Sequence, residues 1–221
     1  MSKPRLLDLF SGAGGAARGY QRAGYHVTGV DHVDQPRFAG DEFVQADALE
    51  YVAEYGHEYD AIHASPPCQA YTTIRVVAGG EYPETVAATR AALRATGKPY
   101  VIENVPGAPL ESPIMLCGSS FGLNLRRHRL FESSVWLSPL PCDHSWQEPR
   151  FRSLNGRYEG LARVVGVHGN IQYAGEYDLR CEAMGISWMT NAELTQAIPP
   201  AFTEHVGTQL AWHLEPRKES A

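Results

Sequence analysis

The sequence predicts an α/β fold built on a mostly parallel sheet. Three observations predict it. Short apolar strands alternate with helical stretches through the N-terminal half, the pattern of consecutive βαβ units. Polar or conformationally special residues recur at the strand C-termini: Ser11, Asp31, Asp47, Pro67-Cys68 and Glu103-Asn104. A glycine-rich turn, Ser11-Gly12-Ala13-Gly14-Gly15, joins the first strand to the first helix.

Each element has its own signal. Residues 5–10, RLLDLF, read as a buried strand, and the glycine turn leads into a helix through Ala23. Residues 25–30 form a second strand ending at Asp31, and residues 43–46 a third ending at Asp47. Residues 48–55 are helical, and residues 59–64 form a strand that runs into Ser65-Pro66-Pro67-Cys68. An alanine-rich helix over 84–95 precedes a strand at 99–103, with Asn104 at its end. Short connections imply right-handed crossovers, and open α/β sheets bind ligands at the strand C-terminal edge. From 114 to 167 the pattern is irregular, with strands predicted at 130–137 and 163–167. A short helix over 191–196 takes Thr190 or Asn191 as cap. Pro199-Pro200 breaks it, a final helix starts at Thr203, and the tail EPRKESA frays.

Composition narrows the function classes. A chain of 221 residues, 43% hydrophobic and 20% charged, has material for one sizeable core and at most a small second lobe. No run of ~18 apolar residues is present, so no membrane span is expected. The segment MSKPRLLDLF lacks a secretory pattern, which points to the cytoplasm. Cys68, Cys117, Cys142 and Cys181 show no CxxC pair, so a disulfide framework is not expected. The net charge of −6 excludes a uniformly basic protein. It leaves room for one basic face, because Arg126, Arg127 and Arg129 cluster and Arg150, Arg152, Arg157 and Arg163 follow.

Four motifs carry chemistry. In Asp8-Leu9-Phe10-Ser11-Gly12-Ala13-Gly14-Gly15 the glycines let backbone approach a ligand, and the following helix offers free N–H groups. Asp31, roughly 20 residues on, suits a ribose diol. That motif taken alone fits either a nucleotide-like cofactor or a plain strand–turn–helix corner. In Ser65-Pro66-Pro67-Cys68-Gln69 the prolines fix the backbone before a cysteine at the ligand edge. Such a thiol acts as a nucleophile only once ionised, and a lone cysteine is otherwise a small buried hydrophobe. Glu103-Asn104-Val105 puts a carboxylate at the tip of an apolar strand, where partial burial raises its pKa. Arg127 and Arg129 face one side if their segment is a strand, a pattern suited to a phosphate or a base carbonyl, or to a solvated edge.

Together these residues resemble the DNA (cytosine-5) methyltransferase family over most of the chain. DLFSGAGG is similar to its cofactor loop, SPPCQ to its Pro-Cys-Gln motif, and ENV to its Glu-Asn-Val motif. Arg127 and Arg129 fit the arginines of Gln-x-Arg-x-Arg, and Gln196-Ala197-Ile198-Pro199-Pro200 resembles the segment before the last helix. The resemblance implies a Rossmann-like, S-adenosylmethionine-dependent methyltransferase fold with a small irregular recognition region. It implies a cofactor and catalytic core over 1–124, a reduced target-recognition region over 125–180, and a C-terminal segment over 181–221 that returns to the core. Cys68 is then the nucleophile and Glu103 the proton holder, with Arg127 and Arg129 supporting the base or the loop. S-adenosylmethionine would lie against Phe10, Ser11, Gly12, Gly14, Gly15, Asp31, Asp47 and Pro67, and Gln69 and Asn104 would touch the substrate. The target base must leave the duplex to be reached.

The sequence departs from the family pattern in two places. Leu125 stands where the family has glutamine, and the recognition region is short, as in compact phage-encoded members. DNA is the expected partner of a chain expected to be a monomer. The short region implies relaxed specificity, or specificity supplied by an unidentified specificity or restriction partner. Three other readings stay open: a related enzyme with another one-carbon donor or a free nucleotide, an inactive DNA-binding relative, and a dinucleotide dehydrogenase. The last leaves SPPCQ and ENV unexplained. Cys142 and His144, with Cys117 and Cys181, offer zinc ligand types, but their spacing is irregular and no metal is assigned. The 166–170 loop with His168 reads as a turn that could line a DNA cleft.

Overall fold

The computed structural model describes residues 2–67, 85–147, 164–169 and 175–214, together with the backbone of Ser153–Leu154 and Arg157–Tyr158. The elements in chain order are β1 (Arg5–Leu9), α1 (Gly15–Arg22), β2 (His26–Asp31), β3 (Glu42–Gln45), α2 (Ala48–Tyr55), β4 (Ala61–Ala64), α3 (Thr85–Ala95) and β5 (Tyr100–Asn104). They continue with β6 (Ile114–Cys117), β7 (His128–Ser133), the two-stranded β8 (Ser153–Leu154) and β9 (Arg157–Tyr158), α4 (Glu176–Met184), α5 (Asn191–Gln196) and α6 (Pro200–Leu214).

Seven strands form one sheet in the order β3-β2-β1-β4-β5-β7-β6. The first five in that order run parallel. β7 is antiparallel to both neighbours, β5 and β6. The α/β architecture expected from the sequence is therefore the one observed. Leu7 and Leu9 of β1 pack with Val52 of α2 and Leu93 of α3 on one face. Leu6 packs with Tyr20 of α1 and with Phe202, Val206 and Leu210 of α6 on the other. Two buried faces explain why β1, β4 and β5 read as nearly unbroken apolar runs.

The differences from expectation lie mostly in the C-terminal half. β6 sits inside a stretch read as irregular, because four residues among prolines show no alternation. β7 starts at His128 and stops at Ser133, short of the predicted 137. It lies within the central sheet although the sequence reading grouped it with the recognition region. Residues 164–167, the described part of the predicted strand at 163–167, form none. α4 was not expected. It buries Arg180 while Leu179 stays exposed, so its apolar residues do not mark one face. α6 begins at Pro200, where proline is tolerated in a first helical turn.

The glycine turn is built against α6 and its approach segment. A Cβ on Gly15 would lie 2.6 Å from the Ile198 carbonyl oxygen. One on Gly19 would lie 2.0 Å from Thr203 Oγ1 and 2.2 Å from the Pro200 carbonyl oxygen. Thr203 Oγ1 donates to the Ala16 carbonyl at 2.9 Å, and Trp188 Nε1 donates to that of Ala13 at 2.9 Å. The last helix and its approach segment thus lie in direct contact with the glycine turn and α1.

Candidate active site

Among the described residues, the C-terminal edge of the parallel strands gathers the glycine turn, Asp31, Pro66-Pro67, Glu103 and Asn104. β1 ends at Phe10, which adopts φ +57° and packs partly against the α2 side of the core. Gly12 (φ +49°) and Gly14 (φ +81°) hold the left-handed conformations that glycine tolerates best. Space beyond Gly12 is open, whereas a Cβ on Gly14 would meet the Ala39 nitrogen at 2.7 Å. Gly14 precedes the first turn of α1, whose N–H groups follow the loop. Ser11 bonds through its backbone to the Val30 carbonyl at 3.2 Å, so the loop rides on the end of β2.

Asp31 lies where a ribose-binding acid was expected. Its Oδ2 accepts from the Gly12 N–H at 3.0 Å and its Oδ1 from the Val33 N–H at 3.1 Å. Asp31 thus shapes the loop as well as facing it. Asp47 lies just beyond β3, which ends at Gln45, and its Oδ1 caps α2 by accepting from Leu49 and Glu50 N–H at 2.9 and 3.0 Å. Pro66 is buried and Pro67 exposed. Cys68 and Gln69 lie outside the described residues.

Glu103 and Asn104 end β5. Asn104 is buried, donates from Nδ2 to the Pro66 carbonyl at 2.9 Å, and accepts from the Val105 N–H. A role of Asn104 in touching substrate was expected, yet both ends of its amide are engaged with backbone. Its geometry ties the Pro-Pro turn to the tip of β5. Glu103 is buried, and Arg129 Nε lies 2.9 Å from its Oε1. Burial pushes the Glu103 carboxyl above the ordinary glutamate value, opposed by the Arg129 and Arg127 charges and by a hydrogen bond with Ser65.

The two arginines separate in role. Arg129 pairs with Glu103 and donates to the His128 carbonyl at 2.9 Å. Arg127 is buried and donates to the carbonyls of Val167 at 3.2 Å and Thr195 at 2.7 Å. It therefore ties the start of β7 to the 164–169 segment and to α5. That segment is held also by Arg180, which donates to the His168 and Gly169 carbonyls at 3.0 Å each. The Leu125 side chain, where the family has glutamine, is buried in the apolar cluster with Ala13, Met184 and Leu194.

A polar network beneath Glu103 was not legible in the sequence. His63, fully buried on β4, lies with Nδ1 3.0 Å from the Tyr20 hydroxyl and Nε2 2.9 Å from Ser65 Oγ. Ser65 in turn hydrogen-bonds Glu103. Desolvation lowers the His63 pKa to about 3, so the ring is neutral. Asp8, paired with His63 in the β1–β4 register, is also fully buried. Burial, then the charge of Asp31, raises its carboxyl well above the ordinary value. A histidine in an otherwise apolar buried strand was the available signal, because buried polar groups need partners.

The zinc ligand types considered from the sequence are regrouped. Cys117, Cys142 and His144 meet, the fourth member is His128 of β7, and Cys181 is not among them.

The fold defines a structural class: it is a fold shared with methyltransferases of known structure. Within that class, two solved structures match nearly the whole chain. A candidate DNA modification methyltransferase encoded within an E. coli prophage aligns with TM-score 0.61 and 15% identity, covering 96% of this chain and 99% of the other. The S. pombe Dnmt2 methyltransferase aligns with TM-score 0.59 and 12% identity, covering 97% and 100%. A curated relative, the type II methyltransferase M.FnuDI of Fusobacterium nucleatum, is 32% identical over 74 residues. That stretch is 31% of this chain and 22% of the relative's length. No family model matches the chain. Among the described residues, no helix is long and apolar enough to cross a membrane.

Proposed function

We propose that the chain is a DNA (cytosine-5) methyltransferase that uses S-adenosylmethionine and carries Cys68 as its nucleophile. The observation that carries this reading is the bond from Asn104 to the Pro66 carbonyl. It joins the turn that leads into Cys68 to the strand tip that bears Glu103. Two motifs far apart in sequence thus meet at one sheet edge, next to the glycine loop.

The loop suits the cofactor. Open space beyond Gly12, the free N–H groups of α1 and the carboxylate of Asp31 fit a nucleoside with a diol. When bound, S-adenosylmethionine supplies an electrophilic methyl group on sulfur. Phe10, Ser11, Gly12, Gly14 and Gly15 would hold it, with Asp31 serving the ribose, Asp47 the adenine amino group, and Pro67 the border with the base.

Carbon 5 of cytosine is too weak a nucleophile unaided. In this reading Cys68 thiolate adds to carbon 6, while the Glu103 carboxyl holds a proton on ring nitrogen 3. The ring would become enamine-like, and carbon 5 would take the methyl group as its bond to the sulfonium sulfur breaks and the neutral thioether leaves. A base then removes the carbon 5 proton, and Cys68 leaves as thiolate. The raised pKa of Glu103 favours the protonated form that this role needs. Arg129 fixes the Glu103 carboxyl, Gln69 contacts the flipped base, and Asn104 and Arg127 position the loop and the recognition segment. The 125–180 region, small for target recognition, makes specificity short or dependent on a further partner.

The test is incubation of purified protein with duplex DNA and S-adenosylmethionine, followed by nucleoside mass spectrometry. The expected result is 5-methylcytosine, absent with Cys68→Ser although that variant still binds the cofactor. Unmodified DNA from folded protein, or modification that survives Cys68→Ser, refutes the assignment.

A further inference from the structure

Beside the basic strand, four side chains of zinc-ligand type converge. Cys117 ends β6 and His128 begins β7, and the two are partners in the β6–β7 register. Cys142 and His144 come from the loop that follows β7. Cys117 Sγ lies 3.2 Å from His144 Nε2. Cys142 Sγ lies 3.2 Å from His144 Nε2 and 3.3 Å from His128 Nε2. All four candidate ligand atoms lie within 4.8 Å of one another.

Thiols and neutral imidazoles are poor reasons for such convergence. A thiol is a weak donor and a weak acceptor, and each ring offers one nitrogen to the cluster. A shared metal accounts for it directly. Tetrahedral zinc with Zn–S of ~2.3 Å and Zn–N of ~2.0–2.1 Å sets ligand atoms about 3.3–3.8 Å apart. The sulfur–nitrogen distances of 3.2 to 3.3 Å here lie at or just under the lower end of that span. Two thiolates would balance the dication, and four protein ligands would leave no open position, as in structural sites.

We propose that Cys117, His128, Cys142 and His144 form a structural zinc site. The site staples the 141–147 loop to the β6–β7 pair, and its ligand His128 sits between Arg127 and Arg129. Hydrogen bonds already bind the loop beside it: Arg126 donates to the Gln147 carbonyl at 2.6 Å, and Gln147 Nε2 to that of Leu123 at 2.6 Å. The metal would therefore fix the start of β7, from which Arg129 reaches Glu103. Its role is to hold the strand, with no part in bond making.

The full chain, expressed with added zinc and purified without chelator, should carry about one zinc per chain by elemental mass spectrometry. Cobalt exchange should give the intense visible bands of a tetrahedral thiolate–imidazole centre. Cys142 is exposed, so Cys142→Ser removes a ligand with little effect on packing. It should lower zinc retention against a competing chelator ~10-fold or more, since losing even an outer-shell partner costs about that much. Cys181→Ser should retain the wild-type metal content. Absence of both zinc and the cobalt bands overturns the proposal. So does wild-type retention by Cys142→Ser, an equal loss in Cys181→Ser, or a Cys117–Cys142 disulfide in the intact mass of fresh protein. Should Cys142→Ser not fold, the wild-type cobalt spectrum alone decides.

Discussion

Replacing His63 by glutamine tests the buried network beneath Glu103. The folded state holds this imidazole neutral down to about pH 3, because burial disfavours its charged form. In the unfolded chain it takes a proton near the ordinary ~6.5. Between those values the unfolded state binds more protons, so stability falls as the pH falls. The contribution is fully present above pH ~6.5 and is gone below about 3. The whole gap corresponds to about 5 kcal/mol, of which about 2 kcal/mol is lost by pH ~5. Asp8 acts in the opposite sense, since its raised pKa favours the folded state at low pH. Asp8 is common to both proteins, so their difference isolates His63. Urea unfolding at pH ~7.5 and ~5 should show wild-type protein losing about 2 kcal/mol more than His63→Gln. Equal losses would mean that the ring is hydrated or protonated in the native state, and the network as drawn would be wrong.

Three further substitutions probe the edge and its support. Asp31→Ala removes the acceptor of the Gly12 N–H and should weaken cofactor binding, by calorimetry, at least ~10-fold more than DNA binding; equal weakening of both undoes the ribose assignment. Asn104→Ala frees the Pro66 carbonyl and should lower kcat ~10–100-fold with little change in KM for DNA; a pure KM effect would restore it to direct substrate contact. Gly19→Ala forces a Cβ against Thr203 and the Pro200 carbonyl and should lower stability by about 1–3 kcal/mol in denaturant titration; an unchanged midpoint would mean that the two helices separate freely.

The sequence made the first five strands legible because each is a short apolar run closed by a residue of distinct chemistry. Asp31 and Glu103 were legible as strand-tip residues for the same reason, and Arg129 as part of a basic run. Their partners were not legible. Nothing local in Asn104 announces that its amide reaches Pro66, or in Arg127 that it binds the carbonyls of Val167 and Thr195. His128 was read only as part of a basic run, because strand register, not spacing, brings it to Cys117. α4 escaped notice since it buries Arg180 among backbone carbonyls and leaves Leu179 in solvent.

The contact between α1 and α6 has a consequence for biosynthesis. Thr203 closes onto Ala16 across 187 residues of chain, and Gly15 rests on the carbonyl of Ile198. Translation runs at ~5–20 residues per second, so the glycine loop waits many seconds for its supporting wall. Until then a nascent chain exposes the apolar side of α1. The supporting wall of the loop is complete only after α6 has left the ribosome. A separately supplied C-terminal fragment should therefore confer cofactor binding on a chain that stops before Trp188.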